Sequence, residues 1–145
     1  MNDDKSVLQH SARTNSRPSV AVIRDFNSYP VWVASVTESH IEDGKSGDTV
    51  GAIRNFVEYG AHIRQRLRAH SDLDRFYTYE SCEPLGAITF YQGTGRVTPI
   101  VEGNRAFVEW SVQFDCPVEE QANCTKSLEE AMPQWMKSLQ AVLEK

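Results

Sequence analysis

Residues 105–145 read RAFVEWSVQFDCPVEEQANCTKSLEEAMPQWMKSLQAVLEK, and the hydrophobic period changes part-way along them. Over 105–114, Ala106, Val108, Trp110, Val112 and Phe114 interleave with Phe107, Glu109, Ser111 and Gln113. A period of two marks a strand with one buried face, because successive strand side chains point to opposite sides of the sheet. Beyond Pro117 the apolar residues Leu128, Ala131, Met132, Trp135, Leu139, Val142 and Leu143 recur at helical spacing. Pro117 suits a first helical position, where its missing N–H costs nothing, and Glu119 and Glu120 suit the positive end of a helix. Pro133 falls inside the repeat. It removes a backbone donor and crowds the preceding turn, which predicts a kink or restart at Met132 and Pro133.

Upstream of this ending, strands are predicted at about 50–59, 61–69, 75–82 and 87–100. Turns at Tyr59-Gly60, 71–74, 84–86 and 102–104 space them as an antiparallel meander. Ile63, Gln65 and Leu67 share one face of their strand and Arg64, Arg66 and Arg68 the other; Tyr77 and Tyr79 oppose Thr78 and Glu80. Gly86, Gly93 and Gly95 mark sharp coiling or a close backbone approach. Earlier still, 7–12 predicts a first strand, and Ser16 with Pro18 opens a short helix through 20–23. Residues 25–30 read as a turn-rich break, after which 31–33 bring Trp32 into the core ahead of a strand at 36–42. The first five residues predict a disordered tail, leaving 6–145 as the folded unit.

The chain has 145 residues, room for one domain at about 100–200 residues each. Apolar residues make up 40%, and with eight glycines the total is about 45%, the low edge of globular composition. The longest apolar runs, 20–23 and 31–34, fall far short of the roughly 20 residues of a membrane span. The acidic, polar start MNDDKSVLQH lacks the basic-then-apolar pattern of a secretory signal, which predicts a cytoplasmic protein. A net charge of −5 argues against nucleic acid as a partner. Arg54, Arg64, Arg66, Arg68 and Arg75 nevertheless lie close together in sequence, either as an anion-attracting face or as solvated strand faces. Cys82, Cys116 and Cys124 form no CxxC pair and read as reduced thiols.

No metal site is expected, because His10, His40, His62 and His70 show no HxH, HxxxH or Cys/His pairing. There is no GxSxG nucleophile elbow. Gly93-Thr94-Gly95 lies within a strand with no helix after it, so it is no dinucleotide loop, and no cofactor is expected. Polar residues on apolar faces are more informative. Gln65, Tyr77, Tyr79 and Tyr91 are placed to face a cavity floored by Trp110, Val112 and Phe114 and roofed by Met132, Trp135, Met136 and Leu139, with Trp32 in the same set. Such a pocket suits a hydrophobic or aromatic small molecule. The alternative for each tyrosine is a core position with its hydroxyl on a backbone partner. Arg54 shares a strand face with Val50, Ala52 and Phe56, so it either points inward, where it needs an anionic partner or ligand, or sits at the sheet rim in a salt bridge.

Six strings occur in order: DFNSYPVWVASVTESHIEDG (25–44), GDTVGAIRNF (47–56), IRQRL (63–67), FYTYE (76–80), GRVTPI (95–100) and FVEWSVQFD (107–115). Together they resemble the bacterial polyketide cyclase/dehydrase branch of the SRPBCC superfamily, whose helix-grip fold is shared with START lipid-transfer domains and the birch pollen allergen. The resemblance covers about 7–145. It implies an α+β fold: a strongly curved antiparallel sheet wrapped around a long C-terminal helix, two short helices after the first strand, and a cavity between sheet and helix. Gln65 departs from the pattern, since relatives often carry an acidic residue there, and so does Pro133. The resemblance leaves two functions open. One is a cofactor-independent cyclase or dehydratase in which Arg54, Tyr77 and Tyr91 stabilise a developing enolate. It lacks a base, because Glu58, Glu80 and His62 are predicted on outward faces and Gln65 takes up no proton near neutral pH. The other is a carrier of lipid or another apolar ligand, without turnover. Either is expected as a monomer or homodimer.

Overall fold

The alternation in the last strand survives intact: Ala106, Val108, Trp110, Val112 and Phe114 are all buried, while Glu109, Ser111 and Gln113 face outward. A computed structural model describes residues 6–15, 22–100 and 105–143. The elements run β1 (Ser6–Asn15), α1 (Tyr29–Trp32), β2 (Val36–Ile41), β3 (Ile53–Glu58), β4 (Ala61–Ser71), β5 (Phe76–Ser81), β6 (Phe90–Ile100), β7 (Arg105–Asp115) and α2 (Gln121–Leu143). All seven strands form one antiparallel sheet in the order β1-β7-β6-β5-β4-β3-β2, so β1 crosses to the far edge beside β7 and the others follow as a meander. The helix-grip architecture expected from the sequence is present. The tail predicted at 1–5, and most of the helix predicted through 20–23, lie outside the described residues; 22–24 are helical.

Outward-facing arginines resolve as solvated ion pairs. Arg64 bonds Glu42 at 2.7 Å and reaches Glu83, and Arg66 and Arg68 approach Glu80. At one end of the sheet Arg24 bridges Asp48 and Asp72, which ties residue 24 to two loops.

Inner-face packing depends on two glycines. Register places Gly93 between Tyr79 and Val112, and Gly95 between Tyr77 and Trp110. The Tyr79 ring lies across Gly93, where a Cβ would collide with it, and a Cβ on Gly95 would sit 2.7 Å from the Trp110 ring. Both glycines are therefore close-approach sites, as expected, whereas Gly86 serves a turn at φ 58°.

Several expectations are corrected. Residues 25–30 are not a break throughout, since α1 starts at Tyr29 with Pro30 in its first turn, and Trp32 reaches the core from that helix. Val50 does not share the Arg54 face: Gly51, at φ 95°, turns the chain before β3 begins, and Val50 is exposed. β1 runs to Asn15 because its partner β7 is long enough to pair all ten residues. Pro117 precedes a 3₁₀ turn (Val118–Glu120) instead of opening the helix. α2 shows no restart at Pro133, which lies inside one uninterrupted helix. The carbonyl that Pro133 fails to bond belongs to Glu129, an exposed residue, so water can serve it.

Gly93→Ala is expected to destabilise the fold by about 1–3 kcal/mol, because the Tyr79 ring has nowhere to move within the aromatic layer. The drop in urea midpoint at constant slope checks this; an unchanged midpoint would show that Tyr79 yields freely.

Candidate functional site

Between the sheet, α1 and α2 lies a cavity of about 240 Å³. Six aromatic side chains form much of its wall: Tyr29 and Trp32 from α1, Phe56 from β3, Tyr91 from β6, Trp110 from β7 and Trp135 from α2. Val33, Ile63, Leu85, Ile88, Leu128 and Met136 complete the apolar lining. Beyond the phenol hydroxyls and the indole N–H groups, the polar groups are Glu58 and Gln65.

Alternation positions these groups. Ala52, Arg54, Phe56 and Glu58 follow every second residue toward the Tyr59-Gly60 hairpin turn, where both residues take positive φ as a tight two-residue connection requires. Gln65 pairs with Arg54 across β3 and β4. Arg54 is wholly buried: it donates to the Phe26 carbonyl at 2.9 Å and to Gln65 Oε1, and its guanidinium stacks 3.6 Å from the centre of the Tyr29 ring. Of the two alternatives for this arginine, the inward one holds.

The tyrosines form a relay. Tyr79 Oη accepts from Trp110 Nε1 at 3.0 Å and from the Tyr29 hydroxyl at 3.3 Å. Burial pushes the phenols of Tyr29, Tyr77, Tyr79 and Tyr91 above their ordinary range, and the nearby Arg54 charge only partly offsets it. These phenols are hydrogen-bond donors at neutral pH and cannot act as phenolate bases.

Glu58 requires a correction. It lies on the inner side of β3 with Arg54 and Phe56 and forms part of the cavity wall, where Ser35 Oγ donates to its carboxylate at 2.5 Å. Alternation from Arg54 and Phe56 puts it on this inner row. Glu80 and His62 do face outward.

Of the residues singled out from sequence, Trp32, Gln65, Tyr91, Trp110, Trp135 and Met136 meet at the cavity. Arg54 and Tyr79 stand one layer behind it. Tyr77 borders a different, smaller pocket of about 30 Å³ with Ile23, Arg24 and His70. Phe114, Met132 and Leu139 are buried in the core away from the cavity wall. Leu128, missed beforehand, was signalled by its seven-residue spacing from Trp135, and Phe56 and Ile63 by sharing faces with Arg54 and Gln65. Leu85 and Ile88 lie in an irregular segment closed by a single bridge, which no periodicity marks.

The family described as polyketide cyclase / dehydrase and lipid transport matches residues 20–145. The chain belongs to that family. Known structures agree with it in fold. The protein XoxI from Bacillus cereus is 27% identical with a TM-score of 0.79 over 95% of each chain. The di-domain ARO/CYC BexL of the BE-7585A biosynthetic pathway is 9% identical with a TM-score of 0.80, over 94% of this chain and 45% of that one. A START superfamily protein from Mycobacterium smegmatis is 11% identical with a TM-score of 0.72, over 94% and 96%. No curated protein matches the chain. Family membership fixes the fold and leaves the ligand to be argued from the wall itself.

Tyr79→Phe removes the shared acceptor of Trp110 and Tyr29. The expected cost is about 1–3 kcal/mol, because a buried indole N–H is left without a partner. Chemical denaturation of the variant checks it, and a loss below about 0.5 kcal/mol would contradict the relay.

Proposed function

We propose that this protein binds an apolar, ring-bearing small molecule in the cavity between its sheet and α2. The aromatic wall around a void of about 240 Å³ carries the reading. A void of roughly 150 Å³ is enough for benzene, so two fused rings fit here. Ligand pockets typically combine such a lining with a few polar groups that orient the guest, and here Glu58, Gln65 and Tyr91 have that role. Trp32, Trp110 and Trp135 supply flat apolar surface that orders at little entropic cost.

Glu58 favours a second reading on the same site, cyclisation or dehydration of the bound molecule. It supplies the missing carboxylate base, and the proton it takes from a carbon beside a carbonyl leaves an enolate whose oxygen accepts from Tyr91. The oxygen of that enolate belongs to the carbonyl next to the carbon that loses the proton, so base and donor act at one place on the guest, and the cavity has to fold a flexible chain so that the carbonyl under attack meets it there.

N-phenyl-naphthylamine is an uncharged fluorescent probe suited to the binding reading. Saturable fluorescence enhancement is expected, with affinity falling at least about tenfold in Ile63→Trp, which fills the void. Absence of saturation, or unchanged affinity in a folded Ile63→Trp variant, would overturn it. For the second reading, a linear poly-β-ketone thioester is the probe. Glu58→Gln is expected to lower the appearance of ring absorbance about a hundredfold or more while binding holds. Equal rates in the two proteins would remove Glu58 from the chemistry.

A further inference from the structure

Arg54 is buried as a permanent cation, and among the described residues its guanidinium meets no carboxylate. Its Nε also lacks an acceptor. The rings of Tyr29, Phe26, Tyr79 and Phe56 lie 3.6, 4.0, 4.9 and 5.3 Å from Cζ, and they attract a cation without cancelling its charge. Apolar surroundings screen that charge weakly. Tyr29, Phe56 and Gln65 touch the guanidinium on one side and form the cavity wall on the other, so the positive potential extends into the void.

Gln65 gives this potential a direction. A guanidinium only donates, so the amide must turn its oxygen to Arg54, which leaves its N–H₂ to donate elsewhere, and Gln65 is part of the cavity wall. Tyr91 lines the cavity as a phenol that burial keeps protonated, a donor for a guest. Between them, Ser81 pairs with Gln65 and follows the Glu80–Gln92 pair, next to Tyr91; its hydroxyl is buried without a partner. One end of the cavity therefore has donors beside a buried positive charge that meets no carboxylate among the described residues. Glu58, the carboxylate of the wall, stands toward the hairpin end of β3; its charge reaches Tyr91, and it is not one of the Arg54 guanidinium's hydrogen-bond partners.

We propose that the guest carries an anionic acceptor head, a carboxylate or an ionised enol or phenol, seated on Gln65 and Tyr91 in front of the Arg54 charge. Its ring body lies among Trp32, Trp110 and Trp135. This rests on the ligand-binding reading above and specifies the charge of the ligand that reading leaves open.

Three naphthalene probes of matched size test it by calorimetry near neutral pH: naphthoate, the uncharged acetonaphthone and the cationic naphthylmethylammonium. Naphthoate is expected to bind at least about tenfold tighter than either of the others. Gln65→Glu gives Arg54 its counter-ion within the protein, so naphthoate should weaken at least tenfold, acetonaphthone binding should persist, and the melting temperature should hold or rise. Naphthoate binding no tighter than acetonaphthone overturns the proposal and leaves the binding reading intact. Tightest binding of the ammonium overturns it in favour of Glu58 and the rings as the recognising groups. If none of the three binds, and N-phenyl-naphthylamine also fails, both readings fall. The wild-type ranking decides whether or not the Gln65→Glu variant folds.

Discussion

A single buried guanidinium organises the middle of this molecule. Removing a cation from water is costly unless hydrogen bonds and neighbouring charges replace its hydration, and Arg54 is met by one backbone carbonyl, one side-chain amide and a cluster of rings. Each partner comes from a different part of the chain. Phe26 precedes α1, Tyr29 lies within it, Gln65 is on β4 and Tyr79 on β5. Arg54 thereby fixes the short helical segment against the sheet and sets the orientation of the Gln65 amide, which in turn sets what the cavity offers a guest.

The cavity has a related origin in packing. Tyr79 and Trp110 are large side chains on the inner face, and each finds a glycine on β6 over which to lie. A ring laid across the neighbouring strand covers the sheet instead of rising toward α2. The helix buries Cys124, Leu128, Met132, Met136 and Leu139, yet the region bounded by Leu128, Trp135 and Met136 remains open. Covered aromatic floor, incomplete filling above it and a hydroxyl relay below are one arrangement, because the relay through Tyr79 requires the same flat ring that Gly93 admits.

Much of this was legible in the residues. The period of two in β7 and the helical period in α2 set the element types, and turn residues such as Tyr59-Gly60 spaced the meander. Face assignments held for Gln65, Leu67, Tyr77 and Tyr79 because strict alternation leaves no other choice within a regular strand, and for Arg54 the structure chose the inward of two alternatives. They failed where regularity ends. Val50 stands before a glycine turn, whereas the outward expectation for Glu58 went against the alternation that puts it in the inner row with Arg54 and Phe56. Local patterns also could not separate the buried residues that face the void from those that fill the core, as Met132 and Leu139 differ from Trp135 and Met136 only by a small rotation about α2.

The sequence by itself determined the strands, the long helix, their order and which strand faces are apolar, since these follow from periodicity and turn chemistry acting over a few residues. Only the tertiary structure decided that Arg54 meets no carboxylate among the described residues, that Glu58 joins the cavity and that Tyr77 borders a different pocket. Those are distances between strands and helices far apart in the chain. They depend on how the sheet and α2 close over one another, a property that no short stretch of residues contains.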